Sequence, residues 1–326
     1  IAGFLLTAVG NWTSRETATG ASLVALCALW LLGRVSMVAS PLLPPWLIAI
    51  TDLAFLPALA VAIGRPLFAT KNRKNAIMLG VLAALWLANL TMHLDVLGVL
   101  PGWRGRGSAV GVDVVLFVIL VIAGRTFPMF TRNAIGGPSI RSFPALDRLT
   151  LIGMGVVTIC DAALATPAVL AAAAGSTSVL ALVRSAGWGA RYSFKVPLLW
   201  VLHVGYLWIP VGLALRAVAL FSGAVPPSVA THALTVGAIG TLTLGMMARV
   251  ALGHTGRSLV ASPSVVASFV LVTLAALVRV VVPLLDIAHY RASVFVAAAL
   301  WTSAFGLYLA VHVPILASSR VDSKPG

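Results

Sequence analysis

Residues 232–257 read His232-Ala-Leu-Thr-Val-Gly-Ala-Ile-Gly-Thr-Leu-Thr-Leu-Gly-Met-Met-Ala-Arg-Val-Ala-Leu-Gly-His-Thr-Gly-Arg257. The stretch is apolar over a length that crosses a bilayer, and it carries an imidazole near each end. A spanning helix needs about 20 predominantly apolar residues, so the run reads as a transmembrane helix. The whole chain has the same character: of 326 residues, 60% are hydrophobic and 9% charged, and mean hydropathy is +1.05. Soluble domains carry about a quarter charged residues. A chain this apolar lacks the polar groups to cover its own surface, so lipid must be part of its solvent.

Working outward by the same length rule, full spans are expected at 21–39, 45–63, 75–99, 108–129, 149–172, 196–219, 228–250, 264–284 and 291–316, with 1–9 as the tail of a partial span. The fold class expected is all-α, a polytopic transmembrane helix bundle of about nine full spans plus one partial, forming a single transmembrane domain over 1–326. Connections this short leave no room for a soluble domain. The chain opens inside an apolar run, Ile1-Ala-Gly-Phe-Leu-Leu-Thr, with no basic n-region or cleavage site, which reads as an N-terminal truncation. No internal repeat is visible, which weakens a transporter built on inverted halves.

The net charge of +14 would suggest nucleic acid in a soluble protein. Here Lys and Arg sit between apolar runs, where they face lipid headgroups. No basic tract is interleaved with aromatics, and nucleic-acid binding is not expected. On the nine-span topology the basic residues divide almost evenly, with a small excess on the side of the Lys71-Asn-Arg-Lys74 loop, which is therefore read as cytoplasmic. Cys27 and Cys160 lie in apolar runs without CxxC spacing and read as buried small hydrophobes.

The histidines are the chemically informative residues. At 1.5 Å per residue, the helix steps from His232 to His254 span about 33 Å, so one ion cannot hold both unless the helix breaks. The nine-span topology places His93, His203, His254 and His312 in the outer half and His232 near an inner end, with His289 solvated in a short loop. Grouped imidazoles suit haem, which takes one or two axial histidines, or copper. The plainer alternative for each is a packed histidine bonded to a carbonyl. Asn89 lies one turn before His93 on the same face, placed to orient that ring or to fill a cavity.

Other polar groups lie at membrane depth. Arg34 and Asp52, on consecutive antiparallel spans at matching depth, are expected to form an ion pair, with a proton path or propionate contact as the functional alternative. Asp161 has no partner nearby in sequence, which makes it a proton-relay candidate or the partner of an unplaced arginine. Gly237, Thr241 and Gly245 form a small-residue face for close helix contact. Arg249, His254 and Arg257 gather around a Gly253/Gly256 helix exit, where guanidiniums could hold haem propionates or lipid headgroups. No phosphate-cradling loop, HExxH or nucleophile elbow is present, which leaves hydrolysis and phosphoryl transfer without machinery.

Several segments together resemble the NnrS family of bacterial inner-membrane proteins: Phe4-Leu-Leu-Thr-Ala-Val-Gly-Asn-Trp-Thr13, Leu32-Gly-Arg34, Pro44-Pro-Trp46, Asp52-Leu-Ala-Phe-Leu-Pro57, Gly124-Arg-Thr-Phe-Pro128, Phe130-Thr-Arg-Asn133, Leu199-Trp-Val-Leu-His203-Val-Gly-Tyr206, His232-Ala-Leu-Thr-Val-Gly-Ala-Ile-Gly240 and Leu252-Gly-His-Thr-Gly-Arg257. The resemblance implies a multi-pass protein of the bacterial inner membrane that contains haem and copper and is connected with the response to nitric oxide. It also implies a preceding helix with a His-x-His-Glu motif, which this chain does not include.

The expected function is a haem- and/or copper-binding membrane protein that handles or senses nitric oxide, or limits its damage to cellular iron. A b-type haem and copper are the expected cofactors, with membrane lipid as partner and nitric oxide as ligand. The expected ligands are His203, His254 and His93, with His232 at a separate or supporting site and Arg249 and Arg257 on propionates. The competing readings are a metal-free transporter using Arg34, Asp52 and Asp161, and a scaffold for assembling respiratory complexes.

Overall fold

The computed structural model describes residues 2–70, 75–136 and 140–322; the Lys71–Lys74 loop lies outside the described residues. Every regular element among them is helical. In order they are α1 (Ala2–Thr13), α2 (Gly20–Val38), α3 (Pro45–Leu53), α4 (Phe55–Ala69), α5 (Ile77–Val96), α6 (Arg104–Ile135), α7 (Pro144–Ala162), α8 (Pro167–Ser185), α9 (Pro197–Ser222), α10 (Pro227–His232), a π-helical segment (Ala233–Gly240), α11 (Thr241–His254), α12 (Pro263–Leu285) and α13 (Tyr290–Ala317). Proline at the first helical position opens α3, α7, α8, α9, α10 and α12, where its missing N–H costs nothing and its fixed φ suits the helix. Among the described residues, nine helical stretches are long and apolar enough to cross a membrane. The chain is an all-α, multi-pass membrane protein.

One expected boundary is wrong. The span read at 149–172 is two helices: α7 ends at Ala162 and α8 begins at Pro167. Between them Leu164 takes a left-handed φ of 63°, and Pro167 can donate no backbone N–H to continue α7. The stretch from Pro167 to Trp188 is itself a candidate span, where a long connection was expected.

The chain packs as two compact units, 1–114 and 115–326. In the first, α1 lies on α4, with Leu5, Val9, Leu59, Ile63, Leu67 and Leu82 forming its buried core. The α3–α4 break follows from Pro57. Lacking an N–H, Pro57 cannot bond the Leu53 carbonyl, and the Trp86 indole donates to that oxygen instead at 3.0 Å. Gly33 lets α2 approach α3, because a Cβ there would sit 3.2 Å from the Asp52 Cα.

In the second unit, α7 and α8 form a tight helical hairpin. α7 has 19 residues and carries Asp147, Arg148 and Asp161 close to its ends. Both acids are paired: Asp147 lies 2.9 Å from Arg184 of α8, and Asp161 meets Arg216 of α9. Paired end charges are what a crossing helix tolerates. With α7 packed against α8 as a hairpin, Arg125, Arg132, Arg141, Arg148, Arg184, Arg191, Lys195, Arg249, Arg257 and Arg320 fall toward one end of this unit's helices, against Arg216, Arg279 and Arg291 toward the other. A single crossing at 149–172 would divide the same residues almost evenly. By the positive-inside rule the first end is the one assigned to the cytoplasm, opposite to the side read from sequence for the residues after α7.

The contact between α9 and the Pro227–His254 helix interlocks in both directions. Trp208 fills the space over Gly237 and Val201 that over Gly245, while Leu242 sits against Gly205 and Leu234 against Gly212. Glycine permits this close approach in lipid, where no hydrophobic force drives one helix onto another. The expected Gly237/Gly245 face is therefore half of a reciprocal device. A Cβ on Gly237 would lie 2.5 Å from the Trp208 ring, so Gly237→Ala is expected to cost about 1–3 kcal/mol through overpacking. Thermal unfolding in detergent checks this against Gly306→Ala, where a Cβ meets open space. Equal midpoints for the two variants would refute the packing argument.

Candidate functional site

In the first unit the polar side chains converge on one carboxylate. Asp52, almost fully buried, accepts from Arg34, from Asn89 Nδ2 at 2.7 Å and from His93 Nε2 at 3.1 Å. The expected Arg34–Asp52 pair is present. Asn89 and His93 share Oδ2 of Asp52, so Asn89 supports the same acceptor and the ring is held by the acid. A carboxylate only accepts, so His93 Nε2 carries a proton, and in the neutral ring Nδ1 keeps its lone pair. A carboxylate behind an imidazole is the usual outer support of a metal-ligating histidine. Ser36 and Thr51 join hydroxyls at 2.8 Å beside this cluster, and Gly33 makes the room for it.

In the second unit, His203, His254 and His312 lie toward the basic end of the helices, and His232 lies toward the opposite end. The Pro227–His254 run stays helical throughout, its π segment included, so His232 and His254 remain at opposite ends.

His203 is buried edge-on to Phe127 at 6.1 Å, and the Phe127 ring in turn meets Trp188 and Tyr206. His203 Nε2 lies 3.1 Å from Thr131 Oγ1, whose own proton goes to the Phe127 carbonyl at 2.8 Å. The threonine oxygen therefore accepts from Nε2–H, which leaves the lone pair on Nδ1. Next to this aromatic cluster lies Arg184, 2% exposed, over the Trp188 ring and donating to the Leu120 carbonyl at 2.8 Å. Gly124 makes room for that guanidinium, which a Cβ would overlap.

His312 is the most deeply buried histidine of the unit. It is 1% exposed and stacked on Tyr308, with ring centroids 4.2 Å apart. Its Nδ1 donates to the Tyr308 carbonyl at 3.1 Å, and its Nε2 is buried with no hydrogen-bond partner. A backbone carbonyl fixing Nδ1–H aims the Nε2 lone pair at whatever the ring serves, a common arrangement in metal-binding histidines.

The other expected residues have different settings. His254 is exposed at the end of α11. Arg249 stacks over the Phe130 ring at 3.9 Å and Arg257 donates to Ser318 Oγ at 2.9 Å, so the two guanidiniums turn to different neighbours. His232 Nε2 accepts from Arg279 at 2.7 Å; a guanidinium only donates, so this lone pair is engaged. Asp161 is held by Arg216 near the end of α7. Among the described residues, no group of three or more His, Cys, Asp or Glu is placed to share one metal ion.

Outside the spans, Asp286 caps the α12–α13 connection. Its carboxyl is held below the usual carboxylate range, first by the Ala288 N–H and then by the His289 side chain.

Sequence reading left Arg184 and Arg279 as interfacial charges, and both are buried. The signal for Arg184 lay in Gly124 and Asp147, but their proximity to it is a tertiary fact.

Fold and site together define a multi-pass α-helical membrane protein with imidazoles and ion pairs inside the bilayer. The chain belongs to the NnrS family: the family profile described as NnrS protein matches residues 1–320. No curated protein and no solved structure matches it.

Proposed function

We propose that this chain is a haem- and/or copper-binding protein of the bacterial inner membrane that acts in the response to, or protection from, nitric oxide. The nitric oxide link rests on membership of the NnrS family. The metal half is carried by one observation, the buried and unpartnered Nε2 of His312. An imidazole lone pair sealed from water and left without a donor costs stability, and a metal or haem iron would take it up.

The donor set fits such a group. His312 offers Nε2 in the second unit and His93 offers Nδ1, backed by Asp52, in the first. His203 and His254 share the membrane face of His312. Haem iron accepts one or two imidazoles and copper accepts imidazole readily. When bound, either metal supplies a site for a small diatomic ligand. Nitric oxide is neutral and lipid-soluble, so it needs no polar channel to reach such a centre.

A transporter path through Arg34, Asp52 and Asp161 has less support, because each acid is closed by its own arginine.

The test is an optical spectrum and metal analysis of the purified protein, then of His312→Ala and His93→Ala. The expected result is a Soret band or stoichiometric copper, with at least a tenfold loss of bound group in His312→Ala. Protein carrying neither group would end the metal reading. Retention of both in His312→Ala and His93→Ala would end this ligand assignment.

A further inference from the structure

Three arginines of the helices are matched to acids, and the buried Arg279 is not. Arg34 has Asp52, Arg184 has Asp147 and Arg216 has Asp161. Arg279 on α12 is 7% exposed, yet no carboxylate among the described residues pairs with it. The acid closest to it in sequence, Asp286, is engaged by Ala288 and His289. Arg279 instead bridges two neutral groups through Nη2, to His232 Nε2 at 2.7 Å and to the Tyr290 hydroxyl at 2.8 Å. Its carbon lies 4.8 Å from the Tyr290 ring centre. Nη1 is buried with no hydrogen-bond partner.

The chemistry left over at this place is that of a donor. Both Nη2 hydrogens are used, whereas the two on Nη1 are not. The Tyr290 oxygen accepts from arginine, so its own proton remains to be donated. A buried cation without a counter-charge is costly, and removing an anion's partner would be equally so. The geometry points to an anion site in which Arg279 Nη1 and the Tyr290 hydroxyl receive the two oxygens of a small, planar, singly charged oxyanion of carboxylate type. A guanidinium suits such a group better than an ammonium does. Arg279 is six residues from the end of α12, about 9 Å of helix, and Tyr290 opens α13 with its side chain only half-buried. The site therefore lies close to the membrane face opposite the basic one. The oxyanion has two sources of the same chemistry: a free anion from the aqueous phase on that side, or the carboxylate arm of a bound cofactor. Only the second source depends on the metal reading.

The experiment uses the full chain in lipid nanodiscs at constant ionic strength in sodium chloride. Sodium propionate and sodium nitrite are the probes, and the thermal midpoint and bound pigment are the readouts. For a free-anion site, either probe raises the midpoint saturably by about 2–4 °C. Arg279→Met abolishes the response, and Tyr290→Phe shifts its half-point about tenfold to higher concentration. For a cofactor arm, added anions do nothing, and both Arg279→Met and Arg279→Lys release pigment that wild type retains. A pigment-free protein that still responds to propionate keeps the anion site and loses only the metal reading. The inference is overturned if no anion shifts the midpoint, pigment retention is unchanged, and Arg279→Met is at least as stable as wild type. That last result would mark Arg279 as a helix clip between His232 and Tyr290.

Discussion

Asp147→Asn is expected to destabilise the protein by about 3–5 kcal/mol, the range for stranding one partner of a buried ion pair. Arg184 is the reason. Its side chain is 2% exposed while that of Asp147 is 26% exposed, so the cation cannot follow its lost partner into water. The pair is close, 2.9 Å between Arg184 Nε and Asp147 Oδ1, but not aligned as a hydrogen bond. Its contribution is therefore mainly charge compensation. What remains around Arg184 after the change, the Leu120 carbonyl and the Trp188 ring, supplies partial charge only. The partial exposure of Asp147 places the expected cost nearer the lower end of the range. Removing both charges together, as Asp147→Leu with Arg184→Met, is expected to recover most of the loss, because apolar replacement of a buried pair is often neutral or better. Equilibrium unfolding of the two singles and the double in detergent gives the coupling. A single Asp147→Asn within about 0.5 kcal/mol of wild type would show that Arg184 is compensated elsewhere.

This ion pair also shows what the sequence disclosed and what it did not. Apolar runs of bilayer length gave the helix class, because hydropathy is a property of consecutive residues. Prolines at 45, 197, 227 and 263 fall within a residue of expected span starts. The one misplaced span passed over Pro167, although Pro167 and Pro144 were both legible helix starts. Counting length without that punctuation joined the end of α7 to the start of α8. The Arg34–Asp52 pair was readable because adjacent antiparallel spans convert sequence spacing into depth. Asp147–Arg184, Asp161–Arg216 and His232–Arg279 join residues separated by 37, 55 and 47 positions, and no periodicity reports such a meeting.

The histidines illustrate the same limit. Sequence gives an imidazole's depth, but its availability as a ligand depends on what each ring nitrogen already does. His232 and His312 look equivalent as residues near the ends of apolar helices. One has its Nε2 engaged by a guanidinium, and the other has its Nε2 left bare by a carbonyl that takes the opposite nitrogen. His312, which was not among the expected ligands His203, His254, His93 and His232, therefore becomes the leading candidate of the proposed site, while His254 is exposed at a helix end.

Asp52→Ala is expected to be the second large perturbation, and to act on both stability and metal retention. Asp52 has a side chain 3% exposed and serves three donors, so its removal leaves Arg34, Asn89 and His93 without their common acceptor. Arg34 is half exposed and can turn its head toward the interface, which discounts the usual penalty for a broken pair. The cost is carried by Asn89 and His93, whose unsatisfied donors amount to about 1–3 kcal/mol each when buried. A total of roughly 3 kcal/mol follows, with Asp52→Asn losing less because an amide oxygen can still accept one of these bonds. The second consequence is specific to His93. Without the carboxylate its ring loses both orientation and electron-donating support, and loss of such an outer partner lowers metal affinity by about 10–100-fold. Arg34→Met separates the two effects: it leaves the Asp52–His93 contact in place, so it should cost stability while bound metal is retained. Unfolding midpoints and metal content of the three variants decide the matter. If Asp52→Ala matches wild type in both, Asp52 is not the organising acceptor of this cluster. If it loses stability alone, the Asp52–His93 contact serves packing and His93 is not a ligand.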